Sequence, residues 1–336
     1  MIVYYDPAQA RHNPSEPHVF AGQSLPPAEN ATRAQRILDA LSDADLRQPE
    51  PLDTGLLSLV HEPEYLAFLE TAHERWRSAT GGSVSGEATA FIRPIPQTPW
   101  REPTHVFAQM GVFSNDVDPI LDGTWMAACA SAASALGAAQ SVHDGAEAAY
   151  ALCRPPGHHA APSTYGGYCY LNNVALAAAW LADRGARLAI LDVDAHHGNG
   201  TQAVFWRRGD VLTTSIHGDP ADQFPFYTGF ADERGEADGE GANLNLPLPA
   251  GSGWSTYRDA LDTALEAVRA HGAEVVVVAL GVDTHRADGV FTLEGQDFSA
   301  LGERLATGLS TVVVQEGGYG PGVLETAVPA VLSAFA

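Results

Sequence analysis

Basic side chains are in short supply: 18 lysines and arginines face 41 aspartates and glutamates, a formal net charge of −23. A surface that acidic repels nucleic acid and anionic membranes while attracting small cations. It excludes the first two as partners and favours a small cationic substrate, although solubility or a salty habitat would require the same charge. Cysteine is nearly missing. Cys129, Cys153 and Cys169 are odd in number and form no C-x-x-C pair, so free thiols in a reducing cytoplasm are expected rather than a disulfide framework. No apolar run approaches the ~18 residues of a membrane span. The opening Met1-Ile2-Val3-Tyr4-Tyr5-Asp6 is too short for a secretory signal and reads as a strand.

What is present is ordinary globular material, 45% hydrophobic and 18% charged over 336 residues, with no internal repeat and no dividing boundary. A single domain over 1–336 is expected. After the first strand, apolar runs at 146–153, from 187, and at 211–217, 243–248, 275–280 and 311–314 predict further strands. Helices are expected over 30–41, from 61, and over 124–142, 172–183, 255–270 and 298–309. Asn30 or Thr32, and Asn172 or Asn173, stand where N-caps belong, Pro63 suits a first turn, and Gly185 and Gly272 are stop signals. Strands alternating with helices imply a mainly parallel sheet covered on both faces. Residues 80–123, rich in Gly, Pro, Ser and Thr, read as a long loop near the site or at a subunit interface.

The densest polar cluster is Asp192-Val193-Asp194-Ala195-His196-His197-Gly198-Asn199-Gly200, at the end of an apolar run. Residues two apart on a strand share a side, so Asp192 and Asp194 face together, and His196 joins them if the strand remains extended. Ligands of open parallel sheets sit outside the C-terminal strand ends. Every conspicuous polar cluster falls at such an end: His158-His159, Asp192 to His197, Asp283 and Tyr319. Asp194, His196 and Asp283 offer a zinc ion two carboxylates and an imidazole, leaving a position for water, which is the pattern of a catalytic site. His158 and His159, introduced by the stiff Pro155-Pro156-Gly157 turn, can supply a general base and acid, and Tyr319 can donate to a developing oxyanion. Those are the parts of an amide hydrolase. Ser215 and His217 can be read simply as the end of a strand.

Arg154-Pro155-Pro156-Gly157-His158-His159-Ala160, Gly167-Tyr168-Cys169-Tyr170-Leu171-Asn172-Asn173, Asp192 through Thr201, and Glu316-Gly317-Gly318-Tyr319 resemble the histone deacetylase and acetylpolyamine amidohydrolase superfamily, in family order across nearly the whole chain. The resemblance implies the arginase–deacetylase fold, a three-layer α/β/α domain with an eight-stranded parallel sheet. It implies zinc (in the cell, zinc or ferrous iron) on Asp194, His196 and Asp283, His159 as general base and acid, His158 as its electrostatic partner, and Tyr319 at the transition state. It also implies that Asp192 orients His158 and, with Ser215 and the carbonyls of Asp194, His196 and Ile216, holds potassium. Asn199 stands behind His159 where many relatives have an aspartate. Gly167, Tyr168 and Phe224 resemble the walls of a narrow acyl-amine tunnel.

Leu280-Gly281-Val282-Asp283-Thr284, His217-Gly218-Asp219-Pro220 and the long segment before Trp125 are more similar to the bacterial acetylpolyamine amidohydrolase branch. In that branch the segment pairs two subunits, so a homodimer through residues 80–123 is expected. Asp116 and Asp118 lie in it and could hold a distant ammonium group, while Phe107 sits near where such enzymes carry a further acid. Asp288-Gly289 replaces the family's usual Asp-Pro. An arginase-type dimetal site would need acids where Gly198 and His285 stand, and a non-catalytic binding module would need a broken site. Acetyl-lysine in peptides or proteins, or another acylated amine, remains the alternative substrate.

Overall fold

The computed structural model describes residues 1–20, 23–82, 86–94 and 99–335. Among these described residues, ten strands form in chain order: β1 (Ile2–Tyr4), β2 (His18–Phe20), β3 (Gln23–Leu25), β4 (Asp45–Arg47), β5 (Ala148–Ala151), β6 (Leu188–Asp192), β7 (Val211–Gly218), β8 (Asn243–Leu248), β9 (Val275–Leu280) and β10 (Ser310–Gln315). The helices are α1 (Thr32–Ala40), α2 (Pro63–Ala79), α3 (Val106–Phe113), α4 (Thr124–His143), α5 (Asn173–Ala182), α6 (Asn199–Phe205), α7 (Trp254–His271), α8 (Gly295–Leu305) and α9 (Val323–Leu332). Eight strands pair in the order β4-β1-β5-β10-β9-β6-β7-β8, every pair parallel. β2 and β3 form a separate antiparallel hairpin.

The strand sequences explain the layers. Alternate residues point to opposite faces. Ala149, Ile190, Val277, Val312 and Val314 pack with α2, α4 and α5; Tyr150, Leu191, Val276, Val278 and Val313 pack with α1, α7, α8 and α9. Covered on both sides, these strands need apolar residues at every position. Ala-rich α4 and α5, small enough for close approach, lie against one another. Asn172 caps α5 by accepting from the Ala175 amide at 2.8 Å, and Gly272 ends α7 with φ 72°.

Two expectations are corrected, and one strand of the main sheet was not anticipated. β4 carries no apolar signal, being a three-residue exposed edge strand. Residues 80–123 contain α3 and an antiparallel bridge between Ala88 and Ile120, because the apolar run Val106-Phe107-Ala108 opens a helix that packs on α2. The helix expected over 298–309 begins at Gly295, where Glu294 and Asp297 form a reciprocal capping box.

The topology places the site. The chain leaves β5 and returns at β6, skipping the positions that β10 and β9 fill later. The ends of β5, β10, β9 and β6 are therefore neighbours, and the polar clusters at His158-His159, Tyr319, Asp283 and Asp192–His196 follow those four strands. Behind them lies a buried ion triad. Glu29 accepts from Arg33 at 3.1 Å and from Arg154 at 2.8 Å, with every member at most 2% exposed. Arg154 also donates to the carbonyls of Gln9 and His12, and Arg33 to those of Gly318 and Glu316 at 3.0 and 2.8 Å. Glu29→Ala would leave two guanidinium groups buried without their counter-ion. It should destabilise by about 3–5 kcal/mol in urea unfolding; a loss below about 1 kcal/mol would mean that water replaces the carboxylate.

Candidate active site

β6 ends at Asp192, so His196 reaches the site through a bend rather than along an extended strand. Side chains build that bend: Asp192 accepts from the Asp194 amide at 3.1 Å, and Asp194 from the His196 amide at 2.9 Å. Asp283, delivered by β9, accepts from the Ala195 amide at 2.9 Å. The result brings Asp194, His196 and Asp283 together with their ligand atoms all within 4.8 Å of one another. His196 Nδ1 lies 3.3 Å from Asp194 Oδ1 and 2.9 Å from Asp283 Oδ2. Two ligands about 2.0–2.1 Å from a tetrahedral ion stand about 3.3 Å apart, so the donor set and its spacing fit a divalent metal. The electrostatics agree. Burial, followed by the Asp194 charge, pushes Asp283 up to about 7. Against burial, the two carboxylates pull His196 up to about 10. This corner attracts positive charge.

The two histidines after β5 lie with ring centroids 4.0 Å apart in different surroundings. His158 Nδ1 faces Asp192 Oδ2 at 2.9 Å. Burial lowers its basicity, but Asp192, Asp194 and Glu316 outweigh burial and raise it well above the ordinary value. His159 Nδ1 meets the Asn199 side-chain oxygen at 2.7 Å. Burial and the charges of His158 and His196 hold His159 well below the ordinary value. Since the amide oxygen can only accept, Nδ1 of His159 carries the proton and its Nε2 is a free acceptor. Tyr319, after β10, has its phenol pushed well above the ordinary value by burial, although Arg33, 4.5 Å from the ring centroid, pulls the other way. It stays a donor.

These groups line one cavity of about 240 Å³ together with Gly167, Tyr168, Phe224 and Asp116. Phe224 meets His159 edge to face at 4.9 Å, and Tyr168 meets Tyr319 at 5.5 Å. Gly167 has φ 58°, and a Cβ there would strike the His159 ring. Asp118 is placed differently from Asp116. It is buried, and its Oδ2 accepts the Tyr168 amide at 2.7 Å; it does not line the cavity. It holds Tyr168 in its left-handed conformation, φ 68°, rather than offering a charge to solvent. Phe107 packs against Phe91 and His105. Ser215 stands in register with Asp192 across β6 and β7, its Oγ 2.7 Å from His217 Nδ1, and Ile216 lies buried in β7 beside it. His197 turns away from the cavity toward Gln202.

Three contributors escaped sequence reasoning. Glu316 accepts the Gly157 and His158 amides at 2.7 and 3.1 Å; its signal was an acid closing an apolar strand. Arg33 and Asp288 support the Tyr319 turn from elements distant in sequence; Asp288 stands out in the sequence only as the acid of Asp288-Gly289, with no role attached, and no local pattern announces Arg33.

A parallel eight-stranded sheet between helical layers, with this cluster at the ends of its central strands, is the arginase–deacetylase fold. Residues 27–335 match the histone deacetylase domain; the chain belongs to that family and is a deacetylase. It is 42% identical over 327 residues to the acetylpolyamine amidohydrolase of Mycoplana ramosa, covering 95% of this chain and 94% of that protein. It is 41% identical over 320 residues to the histone deacetylase-like amidohydrolase of Pseudomonas aeruginosa, covering 90% and 74%. The crystal structure of acetylpolyamine aminohydrolase from Burkholderia pseudomallei superposes with a TM-score of 0.92 at 40% identity, covering 100% of this chain and 98% of that one. Among the described residues, no helix is long and apolar enough to cross a membrane.

If Asp194, His196 and Asp283 hold the metal, chelation should lower the thermal midpoint by several degrees, since a ligand at about 100 times its Kd contributes about 2.7 kcal/mol. Asp283→Ala should lose most of its metal after dialysis; full retention, measured by elemental analysis, would place the ion elsewhere.

Proposed function

We propose that this deacetylase, read as one domain over 1–336, removes acetyl groups from acetylated polyamines such as acetylputrescine and acetylspermidine. The observation that carries the reading is the cavity where the neutral His159, the protonated Tyr319 and the Asp194–His196–Asp283 corner converge, with Asp116 also lining it. Zinc held at that corner, or ferrous iron in the cell, supplies Lewis acidity for the amide carbonyl and for water. Potassium held by Asp192, Ser215 and the carbonyls of Asp194, His196 and Ile216 supplies a structural charge behind it.

The chain's own residues do the rest. His159 Nε2 takes a proton from water as its oxygen bonds to the acetyl carbon. The Tyr319 hydroxyl donates to the carbonyl oxygen as negative charge collects there. The carbon–nitrogen bond then breaks, and His159 gives its proton to the departing amine. His158, held charged by its carboxylates, keeps His159 from being protonated in the resting state. Tyr168, Gly167 and Phe224 sheathe the methylene chain, excluding water, and Asp116 accepts the distal ammonium. Asp118 acts on that binding through Tyr168. A homodimer formed through residues 80–123 would narrow the entrance further. The branch relatives and the acidic surface support the small cationic substrate; the cytoplasm fits three cysteines without a disulfide.

Acetate release measured with acetylputrescine, acetylspermidine and an acetyl-lysine peptide should give a kcat/KM preference for the polyamines of about 30-fold, roughly 2 kcal/mol. Equal or better peptide turnover would instead make this a lysine deacetylase or a broad acyl-amine hydrolase. Asn199→Asp puts a carboxylate on His159 Nδ1 and stabilises the imidazolium, raising its pKa. The acid limb of the kcat/KM profile should therefore move to higher pH; an unmoved limb would remove His159 as the base.

A further inference from the structure

The turn that carries Tyr319 is rich in glycine, and something must hold it. Gly317, Gly318, Gly320 and Gly322 surround the tyrosine, with Gly318 at φ 128° and Gly322 at φ 74°, and glycine gives a turn no rigidity of its own. Arg33 and Arg36 take the carbonyls of Gly318 and Gly320. The amides go elsewhere: Asp288 Oδ1 accepts the Tyr319 N–H at 2.9 Å and the Gly320 N–H at 2.8 Å. A Cβ on Gly320 would lie 2.8 Å from Ala287 Cβ, 2.9 Å from Val323 Cγ2 and 3.0 Å from Asp288 Oδ2, so the tyrosine turn is seated closely against this carboxylate.

Asp288 is itself fixed to the metal corner. Asp283 opens, and Asp288 closes, one turn after β9. His285 N–H donates to the Val282 carbonyl at 3.1 Å, and Asp288 N–H to the His285 carbonyl at 2.9 Å. Arg286 N–H donates to the Leu293 carbonyl at 3.0 Å, pinning the turn from outside. One short segment therefore sets both the Asp283 carboxylate and the backbone of Tyr319.

We infer that Asp288 is a positioning residue for Tyr319, holding the phenol in register with the Asp194–His196–Asp283 corner so that both reach the same carbonyl oxygen. The inference rests on the proposed role of Tyr319 as donor. A misplacement of about 1 Å can cost about 100-fold, which sets the scale of the effect.

The test compares wild type, Asp288→Ala, Asp288→Asn, Tyr319→Phe and the Asp288→Ala/Tyr319→Phe double variant, all metal-loaded and checked by thermal unfolding. Asp288→Ala should lower kcat by about 10- to 100-fold with KM changed by less than about twofold. Asp288→Asn keeps an oxygen for both amides and should recover activity to within about threefold of wild type. In the Tyr319→Phe background, Asp288→Ala should add less than about a further twofold, because residues acting through one interaction are not additive. A merely structural residue would cost the same factor in both backgrounds, and that result overturns the inference, as does wild-type kcat in Asp288→Ala.

Amide hydrogen exchange gives a readout that needs no turnover: Asp288→Ala should speed exchange across 317–322 by about tenfold or more. Unchanged exchange there overturns the clamp. If Asp288→Ala does not fold, Asp288→Ser, whose hydroxyl is too short to reach both amides, takes its place. A wild-type protein without deacetylase turnover refutes the proposed function, while the exchange experiment still decides whether Asp288 holds the turn.

Discussion

Carboxylates buried at the carboxyl edge of a parallel sheet are the constraint on which the rest of this structure depends. Each is held by a backbone amide delivered from the end of another strand. Asp283, after β9, takes the Ala195 amide after β6; Asp194, after β6, takes the Gly317 amide after β10; Glu316, after β10, takes the Gly157 amide after β5. Hydrogen bonds to charged groups contribute about 1.5–3 kcal/mol each, so these contacts lock four adjacent strand ends into one rigid edge. The same groups carry negative charge out of water, which is unfavourable unless cations answer it. A metal at the Asp194 corner and a charged His158 are the answers this geometry invites. The geometry of the proposed site and fold stability are thus set by the same contacts.

The adjacent histidines show how little is needed to separate two roles. Their rings are close enough that two positive charges would repel strongly, so only one can be charged at rest. The choice falls to the atom behind each ring: a carboxylate oxygen of Asp192 behind His158, an amide oxygen of Asn199 behind His159. The first stabilises an imidazolium, the second only orients a neutral ring. Two groups of one type, driven apart by their partners, are what the acid–base roles proposed for this pair require.

Much of this was legible in the sequence because it is local. Short unbroken β-branched runs such as Val275 to Leu280 read as strands covered on both faces, and each ends in its own polar cluster. The Asp194–His196 spacing and the Asn172 cap were readable for the same reason. What stayed hidden depends on partners far along the chain. β4 is too short and too polar to declare itself, and it exists because β1 offers an edge. Asp116 and Asp118 look equivalent on paper, yet one lines the cavity and the other is buried under Tyr168; only the packing of the 80–123 segment distinguishes them. Arg33 and Asp288 are ordinary charged residues until β10 delivers its carbonyls and amides to them.

Chemistry and selectivity consequently have different supports. The groups proposed to react rise from strand ends that are cross-linked and buried, where a substitution disturbs the sheet as well as the site. The walls come from loops: Tyr168 from the turn after Gly166, Phe224 from the segment after β7, Asp116 from the segment before α4. Even these are tied down from behind, Tyr168 by Asp118 and the segment after Phe224 by Glu233, which takes the Gly229 amide at 2.9 Å and the Gln202 side chain at 2.6 Å. Gln202 lies on α6, the helix that also presents Asn199 to His159. The cavity wall and His159, the proposed base, are therefore referred to the same helix, so the wall can be reshaped only within the limits that α6 imposes on His159.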